Sequence, residues 1–378
     1  MPTLIPNPDL APADGGFPRW NSPGHRRAGF QNLPGVWRYM ASFRAGRVLR
    51  LRTEADLAVA AREDVARLTA LPWFSAMCVV RGDRVLFERY AADFGPARVH
   101  SVMSITKTSM HLMVGRLAAE GRVDLAARVD AYLPWIGPGY AAARVQDVLD
   151  MNVLNDYSED YANPASTVYA HEESLGMRLP KGQEGTNRAV IAAIGLAPGA
   201  TDCVNRTGLS MYRSANTEVL GFIAEAVTGA PLARFFADLA DAAGIEGVLH
   251  IATDRTGFPV VNGGMAISAR DLCRYGLLLA RGGIGVDGRA VGSPDFLRAT
   301  LTGGVGMPAP RSHLRYSNQT NTDGRWIGHA GYGGQYLLAD PVTETAAVFF
   351  SVLDNASGYD SAYFPPVIRM LSEIATAA

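Results

Sequence analysis

Ser104-Ile105-Thr106-Lys107 opens a helical stretch that runs to Glu120 and stops at Gly121, and the rest of this 378-residue chain is read from it. Three residues of separation put a hydroxyl and an amine on one face of a helix, a turn apart, so a proton can pass between them. A serine hydroxyl attacks a carbonyl only after losing its proton. An amine takes that proton only where burial and a helix N-terminus disfavour its own charged form. Composition singles out the same lysine: of the 35 basic residues all are Arg except Lys107 and Lys181. Arg stays protonated at any physiological pH, so a site that needs a base keeps a Lys. Taken alone, S-x-x-K is a common tetrapeptide that an exposed lysine also satisfies. Two further elements follow in linear order, Tyr212-Arg213-Ser214 and His329-Ala330-Gly331.

Working outward, Ala76–Val80 and Val85–Phe87 flank Arg81-Gly82-Asp83-Arg84, which predicts an antiparallel strand pair, and Glu54 to Leu71 has helical spacing. Ser214 to Thr228 predicts a helix with Ser214 as N-cap and Gly229 as its stop. Helices are also expected at 231–243, 268–281, 295–301 and from 366 to the end, and strands at 335–339 and 345–350. Residues 1 to about 50 are rich in Pro, Gly and Arg and read as an irregular wrapping arm. The expectation is an α+β fold: an antiparallel sheet flanked by helices, built from 1–150 and 255–378, with a mainly helical inserted region at 151–254 and a cleft where they meet.

Apolar residues at 48%, charged residues at 19% and a net charge of −1 describe a globular chain, and exclude a general nucleic-acid or anionic-membrane binder. The longest apolar runs fall far short of the ~20 residues that cross a bilayer. With no secretory signal pattern at the N-terminus, the expectation is a cytoplasmic protein. Cys78, Cys203 and Cys273 are scattered, so neither a disulfide framework nor a cysteine metal site is expected. Gly283 to Gly288 fits G-x-G-x-x-G but follows a helix, which makes it a helix-ending turn. His171-Glu172 lacks the second histidine of a zinc motif, and G-x-S-x-G and Walker patterns are missing. No metal and no cofactor are expected.

The ordered elements resemble the class C β-lactamase-related serine hydrolases with the penicillin-recognising fold, and within them the 6-aminohexanoate-dimer hydrolases, nylon-oligomer amidases with side esterase activity. The resemblance is carried by Ser104–Lys107, Val148–Met151, Asp156–Tyr161, Asn163–Ser166, Tyr212–Thr217, Asn262–Gly264, Ala269–Leu272 and Gly334-Gln335, from about residue 75 to the end. It implies Ser104 as nucleophile, Lys107 as its base and Tyr212 as proton relay to the leaving group. The backbone N–H groups of Ser104 and Tyr332 would form the oxyanion hole. Substrate binding would fall to Tyr161, Glu172, Asn262, His329 and Gly331, the last letting substrate backbone approach closely. Glu172 stands where the amidases have an aspartate that meets the substrate's free amino group, longer by one methylene. His329 replaces the cation that other members place on this strand. Each residue also has a plainer reading: Tyr161 as a loop aromatic, Glu172 as a helix-face carboxylate, Asn262 as a turn residue, Ser214 and Asn216 as caps, His111 as a buried structural histidine. The implied function is cleavage of small linear amides or esters through an acyl-enzyme, with a 6-aminohexanoate oligomer as leading substrate. A carboxylesterase, a D-aminopeptidase-type relative or a silent binding protein are the alternatives, and the implied partner is a small molecule, with a homodimer left open.

Overall fold

The structure, a computed structural model, describes residues 19–161 and 163–377. Its centre is five antiparallel strands: β1 (Phe74–Arg81), β2 (Arg84–Tyr90), β3 (Ile327–Gly331), β4 (Gln335–Asp340) and β5 (Thr345–Ser351), in the order β2-β1-β5-β4-β3. Both chain ends therefore meet in one sheet, β1 pairing with β5 in the register Met77↔Phe349 and Cys78↔Val348. Short strands extend it to nine, from Arg52–Thr53 beside β2 to Val305–Gly306 at the other edge.

Strands β1 and β5 are apolar on both faces because both are covered. Met77, Val79, Ala347 and Phe349 join a core with Val367, Met370 and Leu371 of the C-terminal helix, Phe364–Thr376. The alternating set Cys78, Val80, Val348 and Phe350 packs with Leu272, Tyr275 and Leu279 of the helix Ala269–Ala280 on the opposite face. A four-stranded antiparallel sheet of Met40–Phe43, Leu249–Ala252, Met265–Ser268 and Val99–Ser101 stands beside this sandwich, and its last strand feeds the S-x-x-K element. The region 151–254 carries the helices Thr167–Ser174, Asn187–Ala192, Ser214–Thr228 and Ala233–Ala243, and also contributes Leu249–Ala252 to that second sheet. Among the described residues no single helix is long and apolar enough to cross a membrane.

Several local expectations change. The helix expected from Glu54 to Leu71 is two, Leu57–Ala60 and Glu63–Thr69, interrupted at Arg62, whose backbone is extended. Residues 19–50 of the expected irregular arm form the helices Arg26–Phe30 and Leu33–Val36 and the strand Met40–Phe43; residues 1–18 of that arm lie outside the described residues. The glycines at 283–288 make a turn after the helix Ala269–Ala280, as its helical lead-in suggested.

The S-x-x-K helix begins as a 3-10 turn, Met103–Lys107, before the α-helix Thr108–Ala119, here α1. Met103 takes φ +46°, a left-handed value for a non-glycine residue directly before Ser104; such strain persists only where surrounding structure holds it. The turn lies against the end of β3. There a Cβ on Gly331 would sit 2.4 Å from the Val102 carbonyl oxygen, so this glycine serves packing inside the protein, and it also lines the cavity that Ser104 faces. Since that neighbour is backbone and cannot swing aside, Gly331→Ala is expected to cost about 1–3 kcal/mol in urea denaturation and to slow turnover together with it.

Candidate active site

Lys107 is fully buried, and its Nζ lies 3.1 Å from Ser104 Oγ, 3.1 Å from Ser214 Oγ and 2.5 Å from the Asn262 carbonyl oxygen. Two hydroxyls and a carbonyl thus surround the amine, with no carboxylate among them. The amine donates to all three oxygens; a hydroxyl also donates, so an amine that has given up one proton can accept from Ser104. Such an arrangement can pass the serine's proton to the amine, and burial disfavours the charge that opposes the transfer.

Ser214 was expected as a cap. It is instead the first residue of its helix, α2 (Ser214–Thr228), behind an extended Arg213 that makes no side-chain cap, so its hydroxyl is free to face Lys107. The helix does stop at Gly229 with φ +66°. Tyr212 stands just before it, the Lys107 amine 5.1 Å from its ring centroid. Among the described residues the Tyr212 hydroxyl makes no hydrogen bond, and the residue lines the cavity, about 330 Å³, into which Ser104 opens.

The N–H groups of Ser104 and Tyr332 are likewise uncommitted among the described residues. The first hydrogen bond of the 3-10 turn comes from Ile105, to Val102, and Tyr332 lies just past the end of β3. Tyr332 is fixed by its ring: the Arg26 guanidinium is 5.6 Å from the centroid and is itself tied to the Leu353 and Asn355 carbonyls. The N-terminal segment thereby braces the Tyr332 side of the cavity.

His329 carries no charge here. Its Nδ1 meets the Ala330 carbonyl at 2.6 Å and so bears the proton, and its Nε2 accepts from the Tyr316 hydroxyl at 3.0 Å. Burial, with Lys107 nearby, holds its pKa down at about 3. The ring is a neutral wall with both nitrogens in use.

Glu172 is buried and lines the cavity, but its Oε2 already accepts from Arg178 Nε. Burial pushes its carboxyl up, against the lowering by Arg178 and by the Tyr161 hydroxyl. Arg178 is half exposed and stacks 4.4 Å from the Tyr169 ring centroid. Tyr161, 47% exposed at the mouth, packs between Tyr169 and Tyr332. Asn262 sits in a turn and lines the cavity, and its backbone carbonyl accepts from Lys107, a contact neither reading named. His111 is structural, bonded to the Asn318 carbonyl and packed on Phe296.

All the catalytic and substrate-binding candidates except Lys107 line this one cavity, and Lys107 lies directly beneath Ser104; Asn216 lies outside it, bonded to the Tyr140 hydroxyl and the Val148 carbonyl. Others went unforeseen. Glu159 accepts the Ser214 N–H at 2.7 Å and faces the cavity; it lies inside the Asp156–Tyr161 stretch, which was its only signal. Tyr316, Arg178 and Arg311 carry no local pattern that sets them apart from other surface or core residues. Arg311 lines the cavity near His329 and makes no ion pair among the described residues.

A Beta-lactamase family model matches residues 75–362, and the chain belongs to that family of serine hydrolases. It is 35% identical over 291 residues, 73% of this chain and 72% of the other, to the 6-aminohexanoate-dimer hydrolase of Paenarthrobacter ureafaciens. Among solved structures it is similar to a Bacillus anthracis protein provisionally called a 6-aminohexanoate-dimer hydrolase (TM-score 0.80, 20% identity, covering 95% of this chain and 96% of that one). A D-stereospecific amidohydrolase from Streptomyces sp. gives 0.60, 19%, 84% and 98%. These two likenesses show the fold.

Because Arg retains its proton, Lys107→Arg is expected to lower kcat about 10²–10⁴-fold, the usual worth of a general base, with folding intact by circular dichroism. Near-normal kcat would mean that the serine's proton goes elsewhere.

Proposed function

We propose that the protein cleaves small linear amides or esters through an acyl-enzyme on Ser104, without a cofactor. The observation that carries this reading is the buried Lys107 amine 3.1 Å from Ser104 Oγ. Ser104 Oγ attacks the carbonyl carbon as its proton passes to Lys107. The oxyanion points to the Ser104 and Tyr332 N–H groups, worth several kcal/mol where preorganised. Collapse expels an amine or alcohol that takes its proton through Tyr212, and water then releases the acid.

For the amide, the leading substrate is a 6-aminohexanoate oligomer, as in the Paenarthrobacter relative's name. The unpaired Arg311 supports an amide whose leaving half ends in a carboxylate. A neutral His329 supports a ligand held without a second permanent cation on β3. The Glu172–Arg178 pair favours a second reading, an esterase for acyl chains with an uncharged end, because an ammonium reaches Glu172 only by displacing Arg178. A cytoplasmic setting belongs to this proposal, supported by three unpaired buried cysteines.

Assays of p-nitrophenyl esters beside the linear aminohexanoate dimer separate the readings: both are expected to turn over, and ester turnover without dimer cleavage removes the amidase. Ser104→Ala is expected to abolish the acyl-enzyme seen by mass spectrometry. Arg311→Gln is expected to raise KM for the dimer about tenfold, roughly 1.4 kcal/mol, while sparing neutral esters. Arg178→Gln is expected to raise kcat/KM for a 6-aminohexanoyl ester relative to the hexanoyl ester, and an unchanged ratio would remove Glu172 from ammonium recognition.

A further inference from the structure

We infer that Glu218 is a positioning residue for Lys107: it holds the backbone of Asn262, whose carbonyl grips the amine, and its ionisation is coupled to that of the buried amine. This rests on Lys107 being the base. Glu218 lies one turn beyond Ser214 on α2, so both residues face the same way. It is fully buried, and among the described residues it makes no ion pair. Its Oε1 accepts the Asn262 N–H at 2.9 Å and its Oε2 accepts Asn187 Nδ2 at 2.7 Å. The same Asn262 receives Lys107 Nζ through its carbonyl, so the backbone of one residue separates carboxyl from amine.

The chain of bonds continues outward. Asn187 Oδ1 accepts from His171 Nε2 at 3.1 Å, and His171 Nδ1 accepts from the Tyr157 hydroxyl at 2.8 Å on the cavity wall. The other groups facing the pair are Asp254, which accepts the Asn187 N–H, and, beside Lys107, the Tyr212 ring and neutral His329. His171 is kept neutral by burial, at about 4.

Ammonium with carboxylate and amine with carboxylic acid carry the same net charge, so the buried pair exchanges them without burying an uncompensated charge. Only the amine form arms Ser104. Burial pushes Glu218 up to about 8, against hydrogen bonds from Asn187 and Asn262 and the charge of Lys107. Removing its ionisation removes the ammonium–carboxylate form, so the lysine gives up its proton at lower pH.

The test is the pH profile of kcat/KM for a p-nitrophenyl ester. In wild type the acid limb is expected to span more than one ionisation. In Glu218→Gln it is expected to follow a single ionisation about one pH unit lower, with wild-type thermal unfolding. Glu218→Asp is expected to keep the broad limb. A folded Glu218→Gln with the wild-type limb overturns the inference, since a structural role alone scales the rate without moving it. Should the variant fail to fold, fluorophosphonate labelling of wild-type Ser104 against pH decides: two steps support it and one overturns it. Labelling absent from Ser104 at every pH would instead overturn the acyl-enzyme reading, and this inference with it.

Discussion

An amine buried among neutral acceptors is costly to keep charged, because an ion taken from water loses several kcal/mol of hydration that only an opposite charge restores. Lys107 meets hydroxyl, hydroxyl and carbonyl in place of a carboxylate, and this environment makes it a candidate base for Ser104. The rest of the fold can be understood as what holds those three acceptors around one nitrogen. The 3-10 turn brings Ser104, the start of α2 brings Ser214, and the turn at Asn262 brings the carbonyl. Each segment is anchored to a different part of the core.

The two-faced sheet supplies the rigidity. Because β1 and β5 bury side chains on both faces, the end of β3 is fixed relative to the turn that carries Ser104, and Gly331 allows their backbones to touch. The backbone N–H groups of Ser104 and Tyr332 sit on either side of that contact. The N-terminal segment completes the support: Trp20 and Trp37 donate to the Met177 and Leu175 carbonyls, tying the arm to the loop that bears Arg178.

Electrostatically the pocket is muted. His329 is neutral, Glu172 is matched by Arg178, and Glu159 rests on the N–H of Ser214 at a helix start, where a carboxylate is favoured. Beside these groups stand Arg178, on Glu172, and Arg311, in the cavity wall.

Period-two and helical spacing, glycine stops and the three-residue interval of Ser104 and Lys107 are local properties, and the sequence alone determined from them β1, β2, β4 and β5, α1, α2 and the hydroxyl–amine pair. The resemblance carried by the ordered motifs added Tyr212, His329, β3 and the pocket residues. The break at Arg62 and the ordering of residues 19–50 went unread because neither follows from a repeating pattern. Only the tertiary structure decided that Ser214 faces Lys107 across 107 positions, that Asn262 reaches it across 155, and that Arg178 covers Glu172. The physical reason is that a side chain's partners depend on which distant segments the core packs together, and no local period records that.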